Sequence, residues 1–433
     1  MINERNSPKN TFSYIVFSTA AICIYIVLTW FLAKSFMGRL SLGNSDEDGL
    51  LAALRLDRGN SAYHYLLARY YQMNLISPDI GKAIGHYRES IRISPLQANV
   101  WIDLAKAYRT NGQTAESERS FERAVRLSPD NPALMWEAGT FWLINNRPDK
   151  AVAALKRYLF LAPAKQNDVY GLCWDLQLGN TYILQNLLPE KYEYRSGYLS
   201  YLISTGRAAE AHETWKTIDI NKLDKDLFIK YVNFLILSGI YDEAWAIWKE
   251  VTGKIEGIEN NDDTPLVWNP GFEREILNGG FDWTISEVEG ANVFLDDSVR
   301  MSGDRSLGIS FDGLHNPDIT AARQVVRVQP SSKYSLKGYV RTDSLTTANG
   351  IFLNVLGHKC SGPNKKSEVV NGTVFWKEIS VDFETPADCR AITIAIRRER
   401  SNKFDNKIEG TAWIDGITMK QQAALQTSNS ARP

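Results

Sequence analysis

Three prolines, Pro95, Pro129 and Pro163, stand 34 residues apart, and other columns keep the same step. Ala83, Ser117 and Ala151 form a column of small residues; Tyr87, Phe121 and Leu155 form a bulky one; Ser90, Ala124 and Tyr158 follow less strictly. A fixed step of this size constrains the fold more than composition does. Each unit is too small to bury its apolar face alone, so neighbouring units must cover it and the chain must stack as a solenoid. Three such units span about 64–97, 98–131 and 132–165. Two later units lack the proline and keep a step of 33, through Gly206 and Gly239, Ala211 and Ala244, Trp215 and Trp248. Between the blocks, Gln166 to Lys191 is too short for a full unit, and its Trp174, Leu176, Leu178 and Leu184 predict helix out of phase with the rest.

The best copy of the unit reads Trp101-x2-Leu104-Ala105-x2-Tyr108, then Gly112, Ser117, Phe121, Ala124 and Pro129. It resembles a tetratricopeptide repeat, a unit of two paired helices. The resemblance implies a scaffold that binds protein partners and argues against an enzyme in this half. The clusters Tyr63/Tyr65/Tyr70/Tyr71 and Trp136/Phe141/Trp142 sit at helical spacing, where aromatic residues are usually core rather than a ligand cage.

Lys+Arg number 49 and Asp+Glu 50 in 433 residues, so no global field draws the chain to nucleic acid, and no clustered basic face exists to do so. Ser13 to Ala33 is uncharged and mostly apolar. As a helix it would span about 31 Å, the thickness of a hydrocarbon core. It has no small-x-small exit and is longer than a signal-peptide core, so residues 1–38 read as a short tail and a single transmembrane anchor. Arg5 and Lys9 before the span balance Lys34 and Arg39 after it, so the flanking charges leave its orientation open.

Helical periodicity runs over 47–251. Thr252 to Pro265 is rich in Gly, Asn, Asp and Glu and reads as a linker, and 421–433 reads as a disordered tail. Over 266–420 the period becomes two: Leu307/Ile309/Phe311, Tyr334/Leu336/Val340, Ile379/Val381/Phe383 and Ile392/Ile394/Ile396 alternate with polar or small neighbours. Such strands between Gly, Asn and Pro turns predict an antiparallel β-sandwich. The fold class expected is therefore multidomain: a transmembrane helix, an all-α solenoid and an all-β sandwich.

Several phrases occur in order: Asn269-Pro270-Gly271-Phe272-Glu273, Gly280-Phe281-Asp282-Trp283, Gly303-Asp304-Arg305-Ser306-Leu307, Tyr334-x-Leu336-x-Gly338, Gly372-Thr373-x2-Trp376 and Trp413-Ile414-Asp415. Together they resemble the galactose-binding-like jelly roll of family 4 and family 9 type carbohydrate-binding modules. The resemblance implies a structural calcium ion held by oxygen ligands from the first and last strands. The matching acids here are Glu273 and Asp415, with Ser302 or Asp304 nearby. It also implies sugar binding on an exposed strand face. If Ile351, Leu353 and Val355 point inward, Phe352, Asn354 and His358 point outward; by the same alternation Tyr339 opposes Val340 and Arg397 opposes Ile396. Tyr339, Phe352, Asn354 and Arg397 are then the expected glycan-binding residues. Trp283, Trp376 and Trp413 lie inside the family phrases and are expected in the core. Modules of this type mostly work outside the cytoplasm, which implies a cytoplasmic amino terminus and a periplasmic or extracellular bulk.

No Gly-x-Ser-x-Gly or His-Glu-x-x-His occurs, the five histidines are scattered, and Gly357-x4-Gly362 continues Pro363-Asn364 where a phosphate loop needs Lys and Ser or Thr. No enzyme is expected. Of the four cysteines, Cys360 and Cys389 fall in the sandwich. An oxidising compartment allows them to pair, whereas a simple meander sets them at opposite ends, and the sequence leaves pairing open. The leading expectation is a membrane-anchored, non-catalytic scaffold. Its solenoid binds protein and its sandwich binds glycan, in assembly or export of an extracellular polysaccharide. The alternative is a purely protein-binding adaptor of the cell envelope.

Overall fold

The computed structural model describes residues 8–41, 46–256 and 265–422. The middle of the expected linker, 257–264, and all but the start of the expected disordered tail lie outside the described residues. The chain divides into two compact units, residues 1–189 and 190–433.

The first unit is helical: α1 (Pro8–Ser41), α2 (Glu47–Leu56), α3 (Ser61–Met73), α4 (Ile80–Ile93), α5 (Ala98–Thr110), α6 (Thr114–Leu127), α7 (Pro132–Ile144), α8 (Pro148–Leu161), α9 (Gln166–Asp175) and the short α10 (Asn180–Tyr182). Within α1 the stretch Phe17–Lys34 has a mean hydropathy of 1.7, and none of it is buried. It is the one helix among the described residues long and apolar enough to cross a membrane, a description that fits a span and an N-terminal signal sequence alike.

Three antiparallel pairs, α3–α4, α5–α6 and α7–α8, carry the 34-residue step. The small column Ala83, Ser117 and Ala151 and the bulky column Tyr87, Phe121 and Leu155 are all buried. Ser117 stays polar at no cost because its hydroxyl donates to the Ala105 carbonyl of the partner helix at 2.6 Å. Small residues let the paired helices approach: a Cβ on Gly139 would meet Leu155 at 2.5 Å. In α5–α6 and α7–α8 the chain reverses through a left-handed residue. Gly112 takes φ 76° there, and Asn146, 34 positions on, takes φ 55°. Asparagine is the side chain that tolerates that region best after glycine, so the column survives the exchange. The out-of-phase segment is α9, a turn through Gln177 and Gly179, then α10 and a wide π turn over Ile183–Leu187. The division between the two units falls at the end of this slip.

The second unit holds α11 (Tyr192–Ser204), α12 (Ala208–Trp215), α13 (Lys225–Leu237) and α14 (Tyr241–Glu256), followed by ten strands. α14 continues to Glu256, through the first residues expected as linker. The strands are β1 (Thr284–Ile285), β2 (Ala291–Asp296), β3 (Ser306–Asp312), β4 (Ile319–Arg327), β5 (Lys333–Leu345), β6 (Phe352–Gly357), β7 (Asn364–Lys366), β8 (Gly372–Glu384), β9 (Ala391–Arg398) and β10 (Glu409–Gln421). They form two antiparallel five-stranded sheets, in the orders β1-β4-β9-β6-β7 and β2-β3-β10-β5-β8. Phe272, Trp283, Leu336, Leu353, Ile394 and Ile414 are among the core residues between them. Of the three tryptophans expected in the core, Trp283 is fully buried, while Trp376 and Trp413 are only partly covered.

The jelly-roll order settles the cysteines. β6 and β9 are neighbours, with Gly357 opposite Ile392, so the exit of β6 lies beside the entry to β9. Cys360 and Cys389 are joined there by a disulfide across a Cα separation of 5.0 Å. The meander that separated them does not occur.

The last repeat helices pack on the sandwich. Trp248 of α14 is buried against Trp268 and Phe281, with ring centroids 5.6 and 6.2 Å away, and a Cβ on Gly280 would come within 2.2 Å of it. Asn233 of α13 accepts the Gly280 N–H at 2.8 Å, and Asp242 and Glu275 pair with Arg327 and Lys225 at 2.7 and 2.6 Å.

Candidate functional site

Alternation along β4, β9 and β6 sends Val326, Ile392, Ile394, Ile396, Leu353 and Val355 into the core. The outward residues fall into rows. Thr284, Arg323, Ala395, Asn354 and Lys366 lie opposite one another across β1, β4, β9, β6 and β7. The next row carries Val325, Thr393 and Leu356, and on the other side Arg397 stands opposite Phe352. Ala395 makes a low floor between Arg323 and Asn354.

Part of this face is roofed by α13. The space between them, about 440 Å³, is lined by Asn233, Asn278, Arg323, His358 and Thr393 among others. His358 leaves the end of β6, with its Nδ1 3.2 Å from the Thr393 hydroxyl and its ring edge-on to Tyr241 of α14. Burial, with Lys359 and Arg323 nearby, holds its imidazole below the usual range, so it is neutral at pH 7.

Three buried polar atoms along this side of the sheet have no hydrogen-bond partner among the described residues: Asn354 Oδ1, His358 Nε2 and Arg397 Nε. Their other groups are engaged. Asn354 Nδ2 donates to the Lys365 carbonyl at 2.9 Å, and Arg397 pairs with Asp318 at 2.9 Å. Unsatisfied buried polar atoms are rare, and each marks a place where water or a ligand completes the bonding; here they are spread along β6, from the Phe352–Arg397 pair to His358.

The structure brings Phe352, Asn354 and Arg397 together, but not Tyr339. Tyr339 lies on β5, in the opposite sheet, where its hydroxyl donates to Glu378 at 3.3 Å. Parity was legible for all four residues; which sheet each strand joins was not. Phe352 also differs from the expectation, because it is 2% exposed under Lys366, whose ammonium sits 5.2 Å from the ring. It is no open stacking platform. Arg323 and Thr393 escaped the sequence reading although the alternation of Gln324, Val326 and Ile394 implied their direction.

Glu273 and Asp415 do meet. Asp415 is fully buried and accepts N–H groups from Met301 and Ser302 at 2.8 and 2.9 Å and from Gly416 at 2.6 Å; Glu273 accepts that of Asp304 at 2.9 Å. Ser302 and Asp304 thus contribute backbone donors to the acids. Glu273 Oε1 and Asp415 Oδ1 both lie 3.4 Å from the point where a Cβ on Gly271 would stand, so that glycine keeps the space between them open. Burial, with Glu273 adding to it, raises the Asp415 carboxyl above its usual range despite the three N–H bonds. Neither acid has an ion-pair partner among the described residues. An oxygen-only donor set of two carboxylates fits calcium, with backbone carbonyls or water needed to complete its shell. No cluster of three or more His, Cys, Asp or Glu forms among the described residues.

Comparison with known proteins matches a family model within the helical half. Residues 102–166 match the tetratricopeptide repeat family. The matched residues run from α5 into the start of α9, and the region that follows the helices is a two-sheet antiparallel sandwich. A stretch of 155 residues, 36% of the chain, is 28% identical to superkiller protein 3 of Schizosaccharomyces pombe, and spans 10% of that relative's length. A family 4 carbohydrate-binding module (CBM4) is similar over 36% of this chain and 99% of its own, at 16% identity and a TM-score of 0.27. YrrB, described as a TPR protein with an unusual peptide-binding site, is similar over 48% of this chain and 92% of its own, at 14% identity and a TM-score of 0.25.

Proposed function

We propose that the chain is a non-catalytic, membrane-anchored scaffold of the cell envelope. Its tetratricopeptide-like helices hold a protein partner, and the outer face of the β1-β4-β9-β6-β7 sheet holds a glycan. The observation that carries the glycan reading is that three residues along the outer side of β6 and β9, Arg397, Asn354 and His358, each hold an unsatisfied buried polar atom, the last of them lining the space roofed by α13. Sugar hydroxyls both donate and accept, so one glycan supplies partners to an amide oxygen, a neutral imidazole and a guanidinium together. Arg323 and Thr393 extend the polar set, and Ala395 leaves room for a ring above the sheet. A role in assembly or export of an extracellular polysaccharide agrees with this division of labour. The Cys360–Cys389 disulfide supports an oxidising compartment for the sandwich, and hence a cytoplasmic amino terminus if α1 is a span. Calcium, bound by Glu273 and Asp415, would remove the cost of the buried charge and tie the opening segment to the last strand.

The test is affinity electrophoresis of the full chain in detergent, through gels cast with neutral glycans and with the host's own envelope polysaccharide. Retention lost in Asn354→Ala and Arg323→Gln, with the melting temperature nearly unchanged, supports the reading. A folded wild-type chain retained by none of these glycans establishes the protein-binding adaptor instead.

A further inference from the structure

The outer face of the other sheet carries a second organised strip. Phe294 of β2 lies opposite Gly308 of β3, Gly308 opposite Trp413 of β10, and Trp413 opposite Arg341 of β5. Beyond Arg341 the β5–β8 ladder slips between Val340/Lys377 and Thr342/Val374, and the bulge turns Phe375 out to 75% exposure. Across four strand spacings the row runs about 19 Å. Its parts are held in place. A Cβ on Gly308 would meet the Phe294 ring at 2.5 Å, so the glycine lets that ring lie over β3 toward Trp413. Trp413 Nε1 donates to Asp296 at 2.8 Å, which fixes the indole. The Arg341 guanidinium sits between two rings, 5.5 Å from the centroid of Phe375 and 5.6 Å from that of Trp413. Four other cations of the sandwich are paired with carboxylates: Lys337 with Glu378, Lys377 with Glu368, Lys366 with Glu399 and Arg397 with Asp318. Arg341 has no carboxylate partner among the described residues.

We propose that this strip binds an acidic polysaccharide, a chain of uronic-acid residues, at a site separate from the face roofed by α13. A uronate carries on one ring both groups the strip addresses. Its C–H face stacks on an aromatic ring, and its carboxylate, attached to the same ring, reaches a guanidinium fork beside it. Aromatic rings beside one unpaired cation match that pairing better than they match a neutral sugar, which leaves Arg341 unanswered.

The experiment is affinity electrophoresis of the full chain in detergent with polygalacturonate, alginate and hyaluronate as probes, and fully methyl-esterified polygalacturonate as the uncharged control. We expect retention by at least one acidic probe, at least tenfold weaker retention by the methyl ester, and loss of binding in high salt. Arg341→Gln should weaken retention at least tenfold and Phe375→Ala about fivefold; both side chains lie on the outer face, and thermal melting should confirm that both variants fold. Asn354→Ala and Arg323→Gln on the opposite sheet should bind the acidic probe as the wild type does, which separates this site from the one above. The proposal is overturned if no acidic probe is retained, if the methyl ester is retained equally, if the strip variants bind like wild type, or if the opposite-sheet variants abolish binding.

Discussion

Phe121, in the bulky column of the first helical block, stacks on Phe141 of the following repeat with centroids 4.1 Å apart. In the second block Trp215 does the same with Tyr231 of the unit that follows, at 4.6 Å. Trp248 stands one step further on, and no repeat comes after it. Trp268 and Phe281, from the opening segment of the sandwich, take the place of the missing helix. A solenoid end needs a cap because its last apolar face would otherwise meet water. Here a β-domain supplies that cap, and the last two repeats form one compact unit with it.

The sharpest way to break that comparison is to remove the two indole or phenyl anchors in turn. Phe121→Ala and Trp248→Ala should each cost about 3–5 kcal/mol in the unit that contains them. Their reach should differ. Hydrogen exchange should show Phe121→Ala loosening α6 and α7 only, and Trp248→Ala loosening α13, α14 and residues 266–283 together. If Trp248→Ala leaves 266–283 as protected as before, the sandwich is not the cap. The same contact makes residues 190–422, rather than 266–420, the fragment to compare with the full chain, since 266–420 alone exposes Trp268 and Phe281.

That contact was the least legible part of the sequence. The step of 34 announced the helix pairs, and alternation announced which side chains of each strand leave the core, because both are local periods. The sheet to which a strand belongs is a long-range pairing that no local period encodes, and so Tyr339 was grouped with Phe352 although β5 and β6 lie in different sheets. Burial of Phe352 was hidden for a related reason: its cover, Lys366, comes from β7, a three-residue strand with no apolar signature. Glu273 and Asp415 were legible because the ordered phrases matched as a set.

A second comparison sets the disulfide-closed sandwich against the disulfide-free repeats. Reduction should lower the stability of the second unit by about 3.6 kcal/mol, the loop-closure effect of a bond between residues 29 apart, and leave the first unit unchanged. Thiol labelling under denaturing conditions checks the premise: both Cys360 and Cys389 should stay unlabelled until a reductant is added.

Calcium should act on the same unit with a somewhat smaller effect. Without a cation, the raised carboxyl of Asp415 makes the folded form bind more protons than the unfolded one above pH 3.8, so stability falls as pH rises through the folded value. An ion that binds only the folded form offsets this by about 2.7 kcal/mol at a hundredfold excess over its dissociation constant. A chelator should therefore lower the melting temperature at pH 7, and Asp415→Asn should remove the response. A wild-type chain indifferent to both chelator and added calcium leaves the acids as a purely structural pair.

The smallest effect expected is acid-induced and belongs to the first unit. His64 and His86 face each other with their Nδ1 atoms 3.1 Å apart, so one ring must accept while the other donates. His86 also stacks on Tyr71 at 5.7 Å, and the Tyr71 hydroxyl donates to Glu47 at 2.6 Å, so the pair ties α3 and α4 to the start of α2. Burial depresses both imidazoles below 6.5; Glu89 opposes the shift in each, while Arg92 beside His64 and Lys82 beside His86 add to it. Their contribution is therefore complete above pH 6.5 and is lost as pH falls through the lower folded values, because the unfolded chain takes up the protons first. His358 is depressed in the same way, so the second unit should soften on acidification as well. The units separate in a His64→Gln/His86→Gln variant: between pH 7 and 5 the first unit should lose its pH dependence, and the second should keep it. Equal slopes for wild type and variant in the first unit would show that the histidine contact contributes nothing to holding α3 against α4.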